Sequence, residues 1–214
     1  MVDLKNQKIV TVGVLGHSVP YGVGALSING KNYGYPEILN ERFKTSGSKY
    51  EITNLSIGEG TTYNVWDKYA DNPVGFDVLI IDSGTNELPR YKDSRRFAFM
   101  SKEDRISTWN GLLDLAIEQA KEVFVLEMLP FLAKEANIKL SGHNLYITQN
   151  DMLNYRRTIE YICNDNGVGY IKRFNAWRNL MKTDSVMSDS FHPNSMGYQH
   201  LANMLFENKK IFKR

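Results

Sequence analysis

Asp189 precedes His192 by three residues in Asp189-Ser190-Phe191-His192-Pro193, near the C-terminus of a 214-residue chain. On a loop, that spacing lets both side chains turn toward one point. A carboxylate beside an imidazole orients it and stabilises its protonated form, which is what a general base needs from its partner. The proline, and the apolar run Tyr198, Leu201, Ala202 and Leu205 beyond it, predict a loop feeding a final helix. Base and orienter require a nucleophile. Ser18, in Gly16-His17-Ser18, follows the apolar run Ile9 to Leu15, which reads as a first buried strand. A serine just past a parallel strand stands at the rim where open α/β sheets place their sites. Taken alone, Asp-x-x-His in a loop is more often a surface cap than catalytic, so the reading depends on what else shares that rim.

Acyl transfer also needs donors aimed at the developing oxyanion. Gly58-Glu59-Gly60 follows a second predicted strand and Gly84-Thr85-Asn86-Glu87 a third. The candidate donors are the backbone N–H of Ser18, a backbone N–H near Gly58, and the side-chain amide of Asn86. Gly60 is the alternative to Gly58, and Glu59 would also serve, because the donor is main chain.

The elements that must position these groups are legible as alternation. Predicted strands are Ile9–Leu15, Tyr50–Ile57, Phe76–Asp82, Val123–Leu129 and Gly167–Ile171. Predicted helices are Tyr35–Phe43, Thr61–Tyr69, Asp104–Lys121, Asp151–Cys163 (with Asp151 as N-cap) and Asn194–Phe206. Such alternation implies a parallel sheet with helices on both faces, because right-handed crossovers place them there. A single domain over 1–214 is expected, with its core at about 8–206. Two connections, 88–102 and 131–150, are long for such a fold and follow strand C-termini, where they could roof a site.

Composition narrows the classes. Twenty-six Lys and Arg against 24 Asp and Glu leave a net charge of +2 with no basic block, which argues against nucleic acid as the main partner. The one cysteine, Cys163, excludes an intramolecular disulfide and a multi-cysteine metal site. His143 and His200 have no partner at ligand spacing. No apolar run reaches roughly 18 residues, so no membrane span is expected. The N-terminus lacks a signal-peptide pattern, which makes a cytoplasmic protein the expectation unless a leader has been removed, when it would be secreted.

The four blocks resemble the SGNH (GDSL-type) serine hydrolase family. Gly16-His17-Ser18-Val19-Pro20-Tyr21-Gly22 is similar to its first block, Asn54-Leu55-Ser56-Ile57-Gly58 to the second, Gly84-Thr85-Asn86-Glu87 to the third and Asp189-Ser190-Phe191-His192-Pro193 to the last. The resemblance runs from about Lys8 to Phe206. It implies a three-layer α/β/α sandwich with a five-stranded parallel sheet (flavodoxin-like), and a serine hydrolase without metal or cofactor. It also implies Ser18, His192 and Asp189 as the catalytic triad and Asn86 as an oxyanion donor. His17 stands where the family usually has aspartate, and Glu87 where aspartate is also common. Adjacent residues on an extended turn point apart, so His17 is expected to be structural or a substrate contact, and its exchange for aspartate to keep most of the activity.

The expected substrate is a small acyl ester, an O-acetyl group on a carbohydrate or other polar alcohol. Polar residues of the two long connections (Arg90, Lys92, Arg95, Arg96, Lys134, Asn137, Asn144 and Gln149) suit a sugar. Phe97, Phe99, Met100, Phe131 and Leu132 in the same connections suit the alternative, a lipase or thioesterase on longer chains. An acyltransferase using the same triad is a further alternative. Tyr33, Tyr35, Tyr63, Trp66 and Tyr91 are candidate pocket walls, and the oligomeric state is left open.

Overall fold

The computed structural model describes residues 8–88, 90–91, 101–130, 138–140, 143–146 and 149–213. In chain order the elements are β1 (Val10–Gly16), α1 (Ser18–Tyr21), β2 (Ser27–Ile28), β3 (Lys31–Asn32), α2 (Tyr35–Thr45), β4 (Tyr50–Asn54), α3 (Thr62–Asp71) and β5 (Phe76–Asp82). They continue with β6 (Arg90–Tyr91), α4 (Lys102–Gln119), β7 (Ala120–Leu126), β8 (Ile138–Leu140), β9 (His143–Tyr146), α5 (Gln149–Asp165), β10 (Gly169–Ile171), α6 (Phe174–Thr183) and α7 (Ser195–Phe206). Every strand and helix expected from the sequence is present.

Five strands form one sheet in the order β10-β7-β5-β1-β4, every neighbouring pair parallel. The chain therefore winds outward in both directions from β1 and β5, the flavodoxin-like order, and the crevice between those strands' C-terminal ends is where such sheets bind ligands. Side chains alternate across the pleat. Val12, Val14, Val78 and Ile80 pack with α2, α6 and α7, whereas Leu15, Leu79, Ile81 and Val125 pack with α3, α4 and α5. That two-sided burial is why the strands read as continuous apolar runs.

Local chemistry sets several helix starts. Thr61 and Asn64 form a capping box on α3, Ser101 accepts from the Asp104 N–H at 3.0 Å to start α4, and Asn194 accepts from the Gly197 N–H at 3.0 Å to start α7. The start of α7 is the one the sequence reading gives, whereas that reading begins α4 at Asp104 and places an N-cap at Asp151. The latter lies instead in the first turn of α5.

Two departures are larger. α6 was not expected, although Phe174, Trp177, Leu180 and Met181 carry helical spacing. The two long connections are also not plain loops, since β6 and β8 pair antiparallel with β9 to form a small separate sheet. Lys92, Arg95, Arg96, Phe97, Phe99, Met100, Phe131, Leu132, Lys134 and Asn137 lie outside the described residues, as do the side chains of Arg90, Tyr91, His143, Asn144 and Gln149.

Candidate active site

Ser18 opens α1 immediately after β1, and Gly16 pairs with Asp82 at the end of β5. The strand ends meet so closely that a Cβ on Gly16 would lie 2.2 Å from the Asp82 carbonyl oxygen, so only glycine fits there. Ser18 is buried, as is His17 before it, and Ser18 Oγ lies 3.5 Å from His17 Nδ1. The last block converges from the far end of the chain. His192 Nδ1 and Asp189 Oδ2 are 2.7 Å apart, while Asp189 Oδ1 accepts the backbone N–H groups of Phe191 at 2.7 Å and His192 at 2.8 Å. Partial burial pushes the Asp189 carboxyl up, but the hydrogen bonds from the His192 ring and those two N–H groups outweigh it and hold it below the usual carboxylate range.

No hydrogen bond joins Ser18 Oγ to His192. The nucleophile candidate instead faces His17, whose ring is fully buried with Nε2 unpartnered among the described residues. Burial lowers the His17 pKa, the nearby Glu87 and Asp82 carboxylates oppose that, and His192 adds to it. An aspartate at position 17 would stand among the same carboxylates.

The second and third blocks are stitched together. Asn86 Nδ2 donates to the Gly60 carbonyl at 2.6 Å, Thr62 Oγ1 and Ser83 Oγ are 2.8 Å apart, and the Thr62 N–H donates to the buried Glu87 carboxylate. The second block also joins the first, through the Ile57 N–H to Gly16 O at 2.9 Å and Asn54 Nδ2 to Pro20 O at 2.8 Å. The Tyr21 ring lies over Gly58, 3.1 Å from where a Cβ would stand. The N–H groups of Gly58, Glu59 and Gly60 have no acceptor among the described residues, so all three remain open as donors.

Beneath this rim lies a charge network that sequence reasoning missed. Asp82 is bonded to the Tyr35 hydroxyl at 3.0 Å and to the Arg173 guanidinium. The Arg173 N–H donates to Glu127 Oε2 at 2.7 Å, and Arg156 Nε donates to Glu127 Oε1 at 3.0 Å. Asp82, Glu127 and Arg173 are all buried, at the ends of β5, β7 and β10. The available signal was a charge at the end of each apolar run. Tyr35 thereby proves to be fully buried support, its hydroxyl pKa pushed up by burial and by Asp82, and not a pocket wall. Among the described residues, no group of three His, Cys, Asp or Glu side chains could hold a metal ion, and no helix is long and apolar enough to cross a membrane.

Comparison with known proteins agrees with this architecture. The sequence profile of the GDSL-like lipase/acylhydrolase family matches residues 14–200. Axe2, an acetylxylan esterase from Geobacillus stearothermophilus, superposes with a TM-score of 0.70 at 15% identity over 98% of this chain and 100% of its own. The acetyl xylan esterase AlAXEase gives 0.70 at 18% identity over 92% and 98%. LAE5, an alpha/beta hydrolase from the metagenome of Lake Arreo, Spain, gives 0.72 at 16% identity over 93% and 94%. No curated protein matches the sequence.

Proposed function

Since the chain belongs to the GDSL-like lipase/acylhydrolase family and is a carboxylic ester hydrolase of the SGNH type, we propose that it removes a small acyl group, O-acetyl, from a carbohydrate or similar polar alcohol, with Ser18, His192 and Asp189 as its triad. The observation that carries the triad is the 2.7 Å contact between His192 Nδ1 and Asp189 Oδ2, which commits one ring nitrogen and leaves Nε2 as the base. In the reaction, Ser18 Oγ turns away from His17 and attacks the ester carbonyl carbon while its proton passes to His192 Nε2. The carbonyl oxygen becomes an oxyanion, held by the N–H of Ser18, an N–H at Gly58 (or Gly60) and the second amide hydrogen of Asn86. Collapse breaks the C–O bond, and the imidazolium returns its proton to the leaving alcohol. Water, deprotonated by the same imidazole, then cleaves the acyl-enzyme and restores Ser18. The acetylxylan esterases of the same fold support the choice of acetyl and of a sugar alcohol.

Fluorophosphonate labelling and p-nitrophenyl esters of increasing chain length test the proposal. Ser18 should be the labelled residue and acetate the preferred acyl group. Ser18→Ala and His192→Ala should each lower kcat by roughly 10⁶-fold, with the double variant little worse, because such a pair acts as a unit. Preference for long acyl chains would point to a lipase or thioesterase. Labelling that survives Ser18→Ala would remove the triad.

A further inference from the structure

The nucleophile and base candidates come from opposite ends of the chain and share no hydrogen bond, so something must hold their separation. The segment from Val23 to Leu26, which has no part in the chemistry above, is bonded to both. On the nucleophile side, the Ser18 carbonyl accepts the N–H groups of Gly22 at 3.1 Å and Val23 at 2.9 Å. On the base side, the Val23 carbonyl accepts the hydroxyl of Tyr198 at 2.7 Å, and the Leu26 N–H donates to Ser195 Oγ at 3.2 Å. Both partners lie in α7, within two turns of His192. Tyr198 is fully buried, and burial drives its pKa up, so its hydroxyl stays a donor at any working pH.

Between these bonds sits Gly24. Its φ is +86°, and a Cβ there would stand 2.2 Å from Ser188 Oγ and 2.8 Å from the Pro193 carbonyl oxygen. Ser188 clasps the base itself, donating to the His192 carbonyl from N–H at 2.8 Å and from Oγ at 3.1 Å. The main chain at Gly24 thus rests on the two residues that flank and hold the His192 turn.

Building on the reading of Ser18 as nucleophile and His192 as base, we propose that Tyr198 and Gly24 are positioning residues that, through the strap Val23–Leu26, set the separation between nucleophile and base. Tyr198 bonds the strap to the base's helix, and Gly24 lets it lie flush on the base's loop. Pushing the strap outward by a methyl group moves Ser18 relative to His192, and a misplacement of about 1 Å costs on the order of 10²-fold in rate.

The test compares Tyr198→Phe, Gly24→Ala and Gly24→Ala/Ser188→Ala with wild type and Ser188→Ala, well below the lowest melting temperature. Tyr198→Phe should lower kcat by roughly 10-fold and Gly24→Ala by roughly 10²-fold, both at unchanged KM, with fluorophosphonate labelling slowed in parallel. The shape of the pH–rate profile should stay that of wild type, because neither change touches Asp189. Removing the Ser188 hydroxyl should make Gly24→Ala less costly, since the tightest contact of the new Cβ is with that oxygen. Wild-type kcat in folded Tyr198→Phe, or an effect confined to KM, would overturn the proposal. Should Gly24→Ala fail to fold, Tyr198→Phe decides alone. Activity that persists in Ser18→Ala would instead defeat the triad on which the proposal rests.

Discussion

The turn that carries Asp189 and His192 is held from within, whereas the surroundings of Ser18 are supplied from all over the chain. In the first, Asp189 bonds to Phe191 and His192, Ser188 to His192, and Asn194 reaches back no further than nine residues, to the Ser185 carbonyl. In the second, His17 and Ser18 are buried beside Asp82 and Glu87, and Asp82 is bonded by Tyr35 and by Arg173, the latter 91 residues away. A self-contained turn can be altered chemically without disturbing the rest. A pocket assembled from distant charges transmits the loss of any one of them, because a buried charge left without its partner cannot turn to water.

Among the changes that probe this contrast, Asp189→Asn should have the largest effect. Asparagine Oδ1 can still accept the N–H groups of Phe191 and His192, so the melting temperature should barely move. The ring loses its carboxylate, and kcat should fall by roughly 10⁴-fold, measured by steady-state kinetics and calorimetry together. A large fall in melting temperature would show that the turn is not self-contained.

Arg173→Met attacks the other region. It leaves the buried Asp82 carboxylate without its cation and the Glu127 carbonyl without its donor, which should cost about 3–5 kcal/mol of stability in denaturant unfolding. A near-neutral result would mean that water reaches the rim ends of β5 and β7. Asn86 belongs to neither region, being exposed and tied to Gly60. Asn86→Ala should lower kcat by roughly 10²–10³-fold with a much smaller change in KM. An effect on KM alone would make Asn86 a binding residue.

The smallest expected effect is on acid stability. His17 titrates lower in the folded protein than the usual value of about 6.5, chiefly through burial, so on acidification the unfolded chain takes up its proton first. Its contribution is therefore complete above about pH 6.5 and falls as pH drops from there toward the folded value, by at most about 1.4 kcal/mol per pH unit. Stability of His17→Gln, followed against pH, should decline less over that window than wild type. Identical slopes would place His17 in contact with water.

What the sequence determined by itself was whatever short-range chemistry controls. Continuous apolar runs such as Phe76–Asp82 declared buried parallel strands, glycine and asparagine after them marked the rim, and Asp189 three residues before His192 described a turn that does close on itself. The helix at Phe174–Thr183 carries its apolar spacing openly, but it follows a short strand and no side chain caps it, so nothing local marks its start. Tertiary structure alone decided the rest. The order that puts β1 beside β5 at the crevice, the linking of Asp82 to Glu127 through Arg173, and the seating of Gly24 on Ser188 join residues whose separations follow no period. Helical and strand spacing are readable because the backbone repeats every few residues, whereas partners for a buried charge or a close main-chain approach are chosen only when the packed layers bring them together.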